Sequence, residues 1–345
     1  MFITTYKITS PRVIEEFVEN VIVEDNQTLV HVDYMAVCKA DIRYFLGLRS
    51  KNILDHKYPL TPIHEAVGHV IKDYTGKYKK GDKVILVPNS VNHENCKGCE
   101  NDRCAYKELG ENYCPHAAFC SSTKDGFLRP LFVANSTGLV KYDETVPENI
   151  AVWSELLSVS FSGCRRLDIK QGQEVAIFGD GIMAYMMYLV LHNYYNAKIS
   201  VFGVDEEKMK MFKAAKTYRF DTYHGDNFDT LIECVGGRFA QDAINNMIDI
   251  ARIGADLLLM GVSEENAAIN TRKILEKGLN IKGVTRSTNE DFENAAKLIA
   301  IKDAQDEIKP LILSENKIKT ITDIYNTIDA DINNTKIIGK NLMKW

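Results

Sequence analysis

A thiol and an imidazole, Cys38 and His64, stand 26 residues apart in the first part of the chain. Thiolate sulfur and imidazole nitrogen are good ligands for tetrahedral Zn2+, and a catalytic zinc site needs only three protein ligands because the fourth position takes water or substrate. Either residue alone is more often a packed or surface side chain than a metal ligand. The pair therefore indicates a catalytic zinc site only in combination with further motifs.

Four of the eight cysteines are clustered with the spacing C-x2-C-x4-C-x9-C. Four thiolates around a structural zinc would cross-link and stabilise a segment that is too small to have its own hydrophobic core. The segment Met1–Asn20 lacks the apolar region of a secretion signal, so the clustering favours metal over disulfides. Reduced free thiols are the alternative, and Cys120 and His116 are rival ligands. The expected zinc ligands are Cys96, Cys99, Cys104 and Cys114.

The segment 178–184, FGDGIMA, has the G-x-G-x-x-A spacing of a dinucleotide-binding turn. It follows an apolar strand and opens a helix-length segment, as this motif requires. Gly179 makes the tight turn, Gly181 lets the backbone approach the pyrophosphate, and Ala184 keeps helix and sheet close. A bare glycine turn is the alternative, but the strand–helix–strand context favours a nicotinamide cofactor.

The end of the next predicted strand bears on which cofactor fits. A carboxylate there accepts hydrogen bonds from the ribose of NAD and repels the extra phosphate of NADP. Gly203 stands about where that carboxylate is expected, and Lys208 supplies positive charge, whereas Asp205 favours NAD. We expect NADPH to be preferred over NADH.

The predicted strands and helices must position these residues, and their pattern changes near residue 155. The first 150 residues contain short β-type runs such as 28–37 and 83–87, whereas strands alternate with helices afterwards, which is typical of a parallel, doubly wound sheet. The expected strands are 174–178, 199–203, 230–234, 256–260 and 280–284, and the expected helices are 184–195, 239–251, 271–277, 290–302 and 321–330. The last stretch, 337–345, is expected to rejoin the first domain.

Length and composition exclude several classes of protein. A chain of 345 residues with 45% hydrophobic and 26% charged content suits a two-domain globular protein. A net charge of -5 supplies no field for nucleic acid. The apolar runs are far shorter than the roughly 20 residues that span a membrane. We expect a cytoplasmic protein without a nucleic-acid or membrane partner.

Several segments resemble the medium-chain zinc alcohol and polyol dehydrogenases. Residues 38–44, CKADIRY, resemble the family's C-x-[ST]-D segment; residues 64–68, HEAVG, resemble its G-H-E-x-x-G; and residues 81–84, GDKV, resemble its G-D-[RK]-V. Residues 155–161, ELLSVSF, are similar to a stretch of the sorbitol dehydrogenase branch. The resemblance implies an α/β protein with two domains. These are a GroES-like β-rich catalytic domain, 1–154 and 287–345 with a cysteine-rich lobe at 96–114, and a Rossmann cofactor domain, 155–286.

The same resemblance assigns roles near the predicted zinc. Cys38 and His64 are then zinc ligands, while Glu155 and Glu65 compete for the third place or hold the zinc-bound water. Two residues depart from the family pattern. Ala40 replaces the Ser or Thr that often relays the proton, and Ile63 replaces the usual glycine before the histidine, which we interpret as local packing. The resemblance also adds Val262 to the cofactor-binding residues and implies a homodimer or homotetramer.

Segments of the second half closely resemble the ribulose-5-phosphate reductases, which make ribitol 5-phosphate for CDP-ribitol; they are 233–238, ECVGGR, 260–264, MGVSE, and 275–279, LEKGL. This implies a sugar-phosphate substrate, D-ribulose 5-phosphate, reduced with NADPH while zinc polarises the ketone. Arg43, Arg49 and Arg286 are the candidate phosphate ligands. Tyr44 is a candidate hydrogen-bond partner of the substrate.

Two other functions stay open at this point. One is an NAD-dependent dehydrogenase of a neutral polyol such as sorbitol, xylitol or butanediol, for which Asp205 is the best support. The other is a binding or sensor protein that has kept the fold without the chemistry, to which only Ala40 points.

Overall fold

The computed structural model describes residues 1–91, 109–135, 137–225 and 227–345. These residues form two compact units. Unit 1 consists of Met1–Ser158, Ser287–Thr335 and Gly339–Trp345, and unit 2 consists of Val159–Arg286 and Lys336–Ile338. Cys38, His64 and Glu155 belong to unit 1, whereas the glycine-rich turn at 179–184 belongs to unit 2.

The secondary structure over the described ranges consists of strands and helices that alternate in the second half of the chain. The strands are β1 (Phe2–Ser10), β2 (Val13–Asn20), β3 (Gln27–Ala36), β4 (Glu65–Asp73), β5 (Lys83–Leu86), β6 (Asn89–Val91), β7 (Ala117–Phe119), β8 (Leu131–Asn135), β9 (Leu139–Lys141), β10 (Glu174–Phe178), β11 (Lys198–Gly203), β12 (Lys216–Arg219), β13 (Phe228–Glu233), β14 (Ala251–Leu259), β15 (Asn280–Gly283), β16 (Ile312–Lys317) and β17 (Lys340–Lys344). The α-helices are α1 (Lys39–Phe45), α2 (Lys51–Lys57), α3 (Glu148–Ala151), α4 (Ser154–Leu167), α5 (Ile182–Asn193), α6 (Glu206–Met209), α7 (Ala240–Ile250), α8 (Thr271–Lys277), α9 (Asn289–Ile299), α10 (Lys302–Ile308) and α11 (Ile321–Asn333).

A seven-stranded sheet organises unit 1. Its order is β16-β17-β3-β4-β5-β9, with β8 also paired to β3. Strands β3 and β4 are antiparallel, and Ala36 at the end of β3 lies opposite Glu65 at the start of β4. Because Cys38 follows β3 and His64 precedes β4, this register brings the two predicted zinc ligands to the same end of the strand pair. Buried apolar residues of β3, among them Val30, Val32 and Met35, belong to the core.

Unit 2 contains a six-stranded sheet whose pairs are all parallel, in the order β12-β11-β10-β13-β14-β15. This is the doubly wound arrangement, and the order reverses between β10 and β13. Helix α5 has eight consecutive buried residues, Ala184–Leu191. An all-round apolar helix of this kind packs inside the domain. The predicted α/β fold class is confirmed.

The expected elements agree in type with the structure; strand 174–178 and helix 271–277 also agree in their bounds, whereas the others differ at one or both ends. Helix α5 begins at Ile182, two residues before its expected start, because Gly181 supplies the extended N-cap. Strand β14 begins at Ala251, where a helix was still expected. Its residue Gly254 has a φ of 80°, which interrupts the regular alternation that would reveal a strand. No helix among the described residues is long and apolar enough to cross a membrane.

Candidate active site

Cys38 lies at the junction between strand β3 and helix α1. It is the N-cap of the helix, with an extended backbone (φ −91°, ψ 154°). Its N–H donates to Oδ2 of Asp41, the third residue of the helix, at 3.0 Å. The side chain of Asp41 thus satisfies an amide that the helix start would otherwise leave without a partner. This local bond fixes the position of the thiol.

The carboxylate of Asp41 connects the segments of the site. It is buried, and besides Cys38 it accepts from the N–H of Ile63 at 3.0 Å and from the hydroxyl of Ser121. Its Oδ1 lies 3.6 Å from Nδ1 of His64. Burial alone would raise the pKa of Asp41, but His64 and these hydrogen bonds hold it below its ordinary value. Asp41 was not among the predicted site residues, although its position in the C-x-x-D segment was a signal.

Three possible metal donors converge in this part of unit 1. One ligating atom each of Cys38, His64 and Glu65 lies within 4.8 Å of the others. Burial lowers the pKa of His64, but Asp41 and Cys38 raise it more, so that the net pKa lies well above its ordinary value. The same negative groups that favour a proton on this ring favour a cation beside it. A ring whose one nitrogen faces a carboxylate is the usual arrangement of a histidine metal ligand. The donor set fits Zn2+.

Glu65 is bound by a lysine from the end of the chain. Nζ of Lys340 lies 2.5 Å from both carboxylate oxygens of Glu65, and both side chains are buried. Lys340 is the first residue of β17, which pairs with β3. Burial lowers the pKa of Lys340, but Glu65 and Cys38 raise it above its ordinary value. The lysine therefore competes with any metal for the lone pairs of Glu65. Sequence reasoning missed Lys340, which lies 275 residues from its partner.

Glu155 is a further carboxylate near these donors. It lies in the first turn of α4 and is 5% exposed. Burial raises its pKa to about 7, and its charge interacts with His64, Glu65 and Lys340. Its backbone carbonyl accepts a bond from Ser158, but no group among the described residues donates a hydrogen bond to its carboxylate. A buried carboxylate that accepts no hydrogen bond keeps its oxygen lone pairs available to a metal ion.

Ile63 has a strained backbone. Its φ is 74°, in the left-handed region, and its side chain is 1% exposed. A β-branched residue is an outlier there, whereas glycine adopts this conformation freely. The structure therefore explains the family's glycine by backbone conformation rather than packing alone. Gly126 supports the same segment, because a Cβ at position 126 would lie 2.3 Å from the Ile63 carbonyl oxygen.

The candidate phosphate and substrate residues are divided between the units. Arg43 and Tyr44 lie on α1, and the guanidinium of Arg49 lies over the Tyr44 ring, 5.4 Å from its centroid. Tyr44 is buried, and its carbonyl accepts a hydrogen bond of 2.5 Å from the Tyr58 hydroxyl. Arg286 belongs to unit 2 and has a φ of 59°.

Only one of the four predicted ligands of a structural zinc, Cys114, lies among the described residues. Cys96, Cys99 and Cys104 lie outside the described residues. Cys114 is buried and follows a short 3-10 turn, Glu111–Tyr113. Of the rival ligands, His116 is exposed, and Cys120 is fully buried, which raises the pKa of its thiol. A structural zinc stays a prediction.

The glycine-rich turn of unit 2 has the features that a dinucleotide needs. Gly179 has a φ of 131°, and a Cβ on it would lie 3.2 Å from the carbonyl carbon of Cys234. Gly181 faces open space, and Ala184 is fully buried at the start of α5. The turn follows β10 at the point where the strand order reverses, which is where such sheets bind ligands. A diphosphate can approach the backbone at Gly181, where a Cβ would meet nothing within 4 Å.

The end of β11 differs from the expectation in one respect. A side chain at Gly203 would lie 2.9 Å from Oδ2 of Asp180, whose carboxylate accepts from the N–H groups of Val204 and Asp205 at 2.7 and 2.8 Å. The space beside Gly203 therefore already contains a carboxylate. Asp205 itself caps helix α6 by accepting from the N–H of Lys208 at 3.2 Å.

Two further residues line this end of the sheet. Arg219, the last residue of β12, lies opposite Gly203 in the parallel register and donates to the carbonyl of Val204 at 3.0 Å. Its guanidinium also pairs with Asp221 at 2.9 Å. Sequence reasoning missed Arg219, because the short strand β12 was not expected. Val262 follows β14, is exposed, and accepts at its carbonyl from the N–H of Gly237 at 3.0 Å.

Comparison with known proteins agrees with this geometry. Residues 24–144 match the alcohol dehydrogenase GroES-like domain, and residues 191–301 match the zinc-binding dehydrogenase domain. The chain is 34% identical to ribulose-5-phosphate reductase 1 of Staphylococcus aureus, over 99% of this chain and 98% of that protein. It is 35% identical to the ribulose-5-phosphate reductase of Streptococcus pneumoniae, over 99% and 96%. The chain belongs to the medium-chain, zinc-dependent alcohol dehydrogenase family.

Within this family, the predicted resemblance to the ribulose-5-phosphate reductase branch is confirmed. The crystal structure of S. aureus TarJ in complex with NADPH is similar to the chain, with a TM-score of 0.85, 32% identity, and coverage of 100% of this chain and 99% of that one. The predicted identity of the chain as a zinc-type oxidoreductase is confirmed as well.

Proposed function

We propose that this protein reduces D-ribulose 5-phosphate to D-ribitol 5-phosphate, with NADPH as the hydride donor and a catalytic Zn2+. The observation that carries the proposal is the full-length identity of 34–35% to two ribulose-5-phosphate reductases, in a chain whose Cys38 and His64 converge with the buried carboxylate of Glu65. The reaction supplies ribitol 5-phosphate, the precursor of CDP-ribitol.

In this proposal Cys38, His64 and Glu155 hold the zinc. Glu65 stays with Lys340, since the ammonium already contacts both of its oxygens at 2.5 Å. Asp41 fixes the backbone of Cys38 itself and of Ile63, the residue before His64. A bound Zn2+ supplies Lewis-acid polarisation of the substrate ketone. Ala40 carries no hydroxyl, so the proton that completes the alcohol does not pass through position 40.

Arginines supply the specificity for a phosphate. Arg49 is held over the ring of Tyr44, so its planar guanidinium is already ordered. Arg43 extends from the helix that Cys38 begins. We assign the phosphate of the substrate to Arg43 and Arg49 of unit 1, and a hydrogen bond with the substrate to Tyr44. Arg286 stays a predicted phosphate ligand.

The glycine-rich turn, with Gly179, Gly181 and Ala184, binds the pyrophosphate of the cofactor, and Val262 lines its site. The preference for NADPH rests on Arg219, which extends from β12 toward the end of β11 beside Gly203. A guanidinium there matches the geometry of a 2′-phosphate, and Lys208 adds charge. We place the reaction in the cytoplasm, as expected from the sequence, in a homodimer or homotetramer, as the family resemblance implies.

A matrix of cofactors and substrates tests the proposal. NADH and NADPH are each assayed against D-ribulose 5-phosphate, D-ribulose, fructose and acetoin, with zinc-loaded protein. Activity concentrated on NADPH with the phosphorylated ketose supports the proposal, whereas equal turnover of ribulose and its phosphate contradicts it.

One observation favours a second candidate, the NAD-dependent oxidation of a neutral polyol. The carboxylates of Asp180 and Asp205 both lie at the end of β11, where negative charge disfavours a 2′-phosphate. A large preference for NAD with sorbitol, xylitol or butanediol would establish this alternative.

A further inference from the structure

A second group of metal-ligating side chains lies on the strand pair β3–β4 of unit 1. His31 and Asp33 belong to β3, and His69 lies on β4 directly opposite His31. One ligating atom of each lies within 4.8 Å of the others. His69 is four residues along β4 from Glu65, which corresponds to about 13 Å at about 3.3 Å per residue. The group is therefore separate from the donors around Cys38.

The carboxylate of Asp33 contacts both imidazoles. Its Oδ1 lies 2.8 Å from Nδ1 of His31, and its Oδ2 lies 2.8 Å from Nδ1 of His69. The two rings stack, with centroids 5.1 Å apart and an interplanar angle of 25°. The strand register shifts between Val32 and Tyr34, so Asp33 lies at an irregularity of the ladder. Such irregularities re-aim a side chain, and here both rings direct the same nitrogen to one carboxylate.

These donors suit a first-row divalent cation. Two imidazoles and one carboxylate ligate Zn2+, Co2+ or Ni2+, whereas Ca2+ and Mg2+ prefer oxygen ligands. Metal bonds of about 2.1 Å place tetrahedral donors about 3.4 Å apart. The observed separations of 2.8 Å must therefore open by about 0.6 Å. The side chains of His31, Asp33 and His69 are 32%, 22% and 42% exposed, which leaves them room to move and gives an ion access from solvent.

The surrounding charges favour a cation. Lys83 lies opposite His69 on β5, but its ammonium pairs with Glu148 at 2.8 Å. Burial would raise the pKa of Glu148, but Lys83 and the nearby His69 hold it below its ordinary value. Glu148 is thus a second carboxylate in this neighbourhood, and the carboxylates of Asp33 and Glu148 outnumber the one lysine.

We propose that His31, Asp33 and His69 form a second metal site, for Zn2+ or a similar divalent transition metal, that joins β3 to β4. The site goes beyond the proposed reductase function and does not depend on it. Strand β3 leads to Cys38, and β4 follows His64. A metal here stabilises the strand pair that positions these two residues, because an ion that binds only the folded protein shifts unfolding by mass action.

Titration of the full-length protein with Co2+ tests the proposal, after its thiolate-containing sites have been loaded with zinc and the more weakly held zinc has been removed by dialysis. Co2+ with nitrogen and oxygen ligands gives visible absorption bands without the near-ultraviolet sulfur-to-cobalt band that a thiolate ligand produces. The wild type is expected to bind one equivalent of Co2+ at micromolar concentration, with this sulfur-free spectrum and a rise in Tm. His31→Gln, His69→Gln and Asp33→Asn each abolish the spectrum and the rise.

His56→Gln is the matched control, because His56 is an exposed histidine on α2 whose one hydrogen bond among the described residues joins it to the carbonyl of Asn52 in its own helix, at 2.7 Å. It should bind Co2+ like the wild type. Circular dichroism verifies that each variant is folded, and variants on two strands keep the test valid if one misfolds. Equal Co2+ binding by the wild type and His69→Gln, binding only at millimolar concentration, or a sulfur band would each overturn the proposal. No substrate or NADPH is present, so failure of the reductase function leaves this result unaffected.

Discussion

Nζ of Lys340 lies 2.5 Å from both carboxylate oxygens of Glu65, and the two buried side chains are 275 residues apart in the sequence. The ion pair ties β17 to the start of β4, beside the donors Cys38 and His64. A buried charge that loses its partner costs about 3–5 kcal/mol, whereas an exposed pair contributes about 0–1 kcal/mol.

Replacing Lys340 should therefore destabilise the protein strongly. Lys340→Met leaves the carboxylate of Glu65 buried without a partner, and we expect a loss of about 3–5 kcal/mol in the free energy of unfolding. Lys344→Met, on the same strand, removes a partly exposed pair with Glu315 and a contact with Tyr34, and should cost less than about 1 kcal/mol. Denaturant titration measures both. Equal effects of the two variants would contradict a structural role for the Lys340–Glu65 pair.

The third zinc ligand can be identified by zinc content. If Glu155 ligates the metal, Glu155→Gln lowers zinc affinity by at least about tenfold, since even outer-shell changes cost 10–100-fold. Glu65→Gln should retain zinc but lose stability, because Lys340 is left without its counterion. Elemental analysis after dialysis against a chelator provides the comparison, with the exposed Glu144→Gln as control. Zinc loss in Glu65→Gln alone would reverse the assignment.

The strained backbone at Ile63 predicts an inverted ranking of two substitutions. At an ordinary buried position glycine is less stable than alanine by about 0.5–1 kcal/mol. At a φ of 74°, the left-handed backbone conformation destabilises alanine by about 1–2 kcal/mol, whereas glycine adopts this conformation freely. Ile63→Gly should thus be more stable than Ile63→Ala, although both lose packing relative to the wild type. The Tm values of the two variants test this ranking. A higher Tm for Ile63→Ala than for Ile63→Gly would show that the backbone at position 63 is not left-handed.

Arg219 should decide the choice of cofactor. A charge-assisted hydrogen bond contributes about 1.5–3 kcal/mol, so Arg219→Ala is expected to raise the KM for NADPH by about 10–100-fold and to change that for NADH little. Arg252→Ala is the matched control, because Arg252 is likewise partly exposed and pairs with an aspartate, Asp229, at 2.6 Å. Steady-state kinetics with both cofactors test this. Parallel loss with NADH and NADPH would assign Arg219 a structural role instead.

The sequence predicted the fold and the doubly wound sheet well, because strand and helix periodicity and the glycine-rich turn are local signals. It also led us to expect Cys38 and His64 close together, as they are, because each of their two motifs spans few residues. It missed Lys340, which reaches Glu65 only through the β17–β3 pairing, and Arg219, whose strand is four residues long. It attributed Ile63 to packing, since a sequence shows the residue type but not its φ. Contacts between distant segments and backbone conformations need the three-dimensional structure.

The reduction of a phosphorylated ketose with NADPH is tested most directly by a ratio of two catalytic efficiencies. This is kcat/KM for D-ribulose 5-phosphate divided by kcat/KM for D-ribulose, both at saturating NADPH. Two charge-assisted bonds to the phosphate correspond to about 3–6 kcal/mol, so we expect a ratio of at least about 100. A ratio near one, or faster NAD-dependent oxidation of sorbitol or xylitol, would contradict the account.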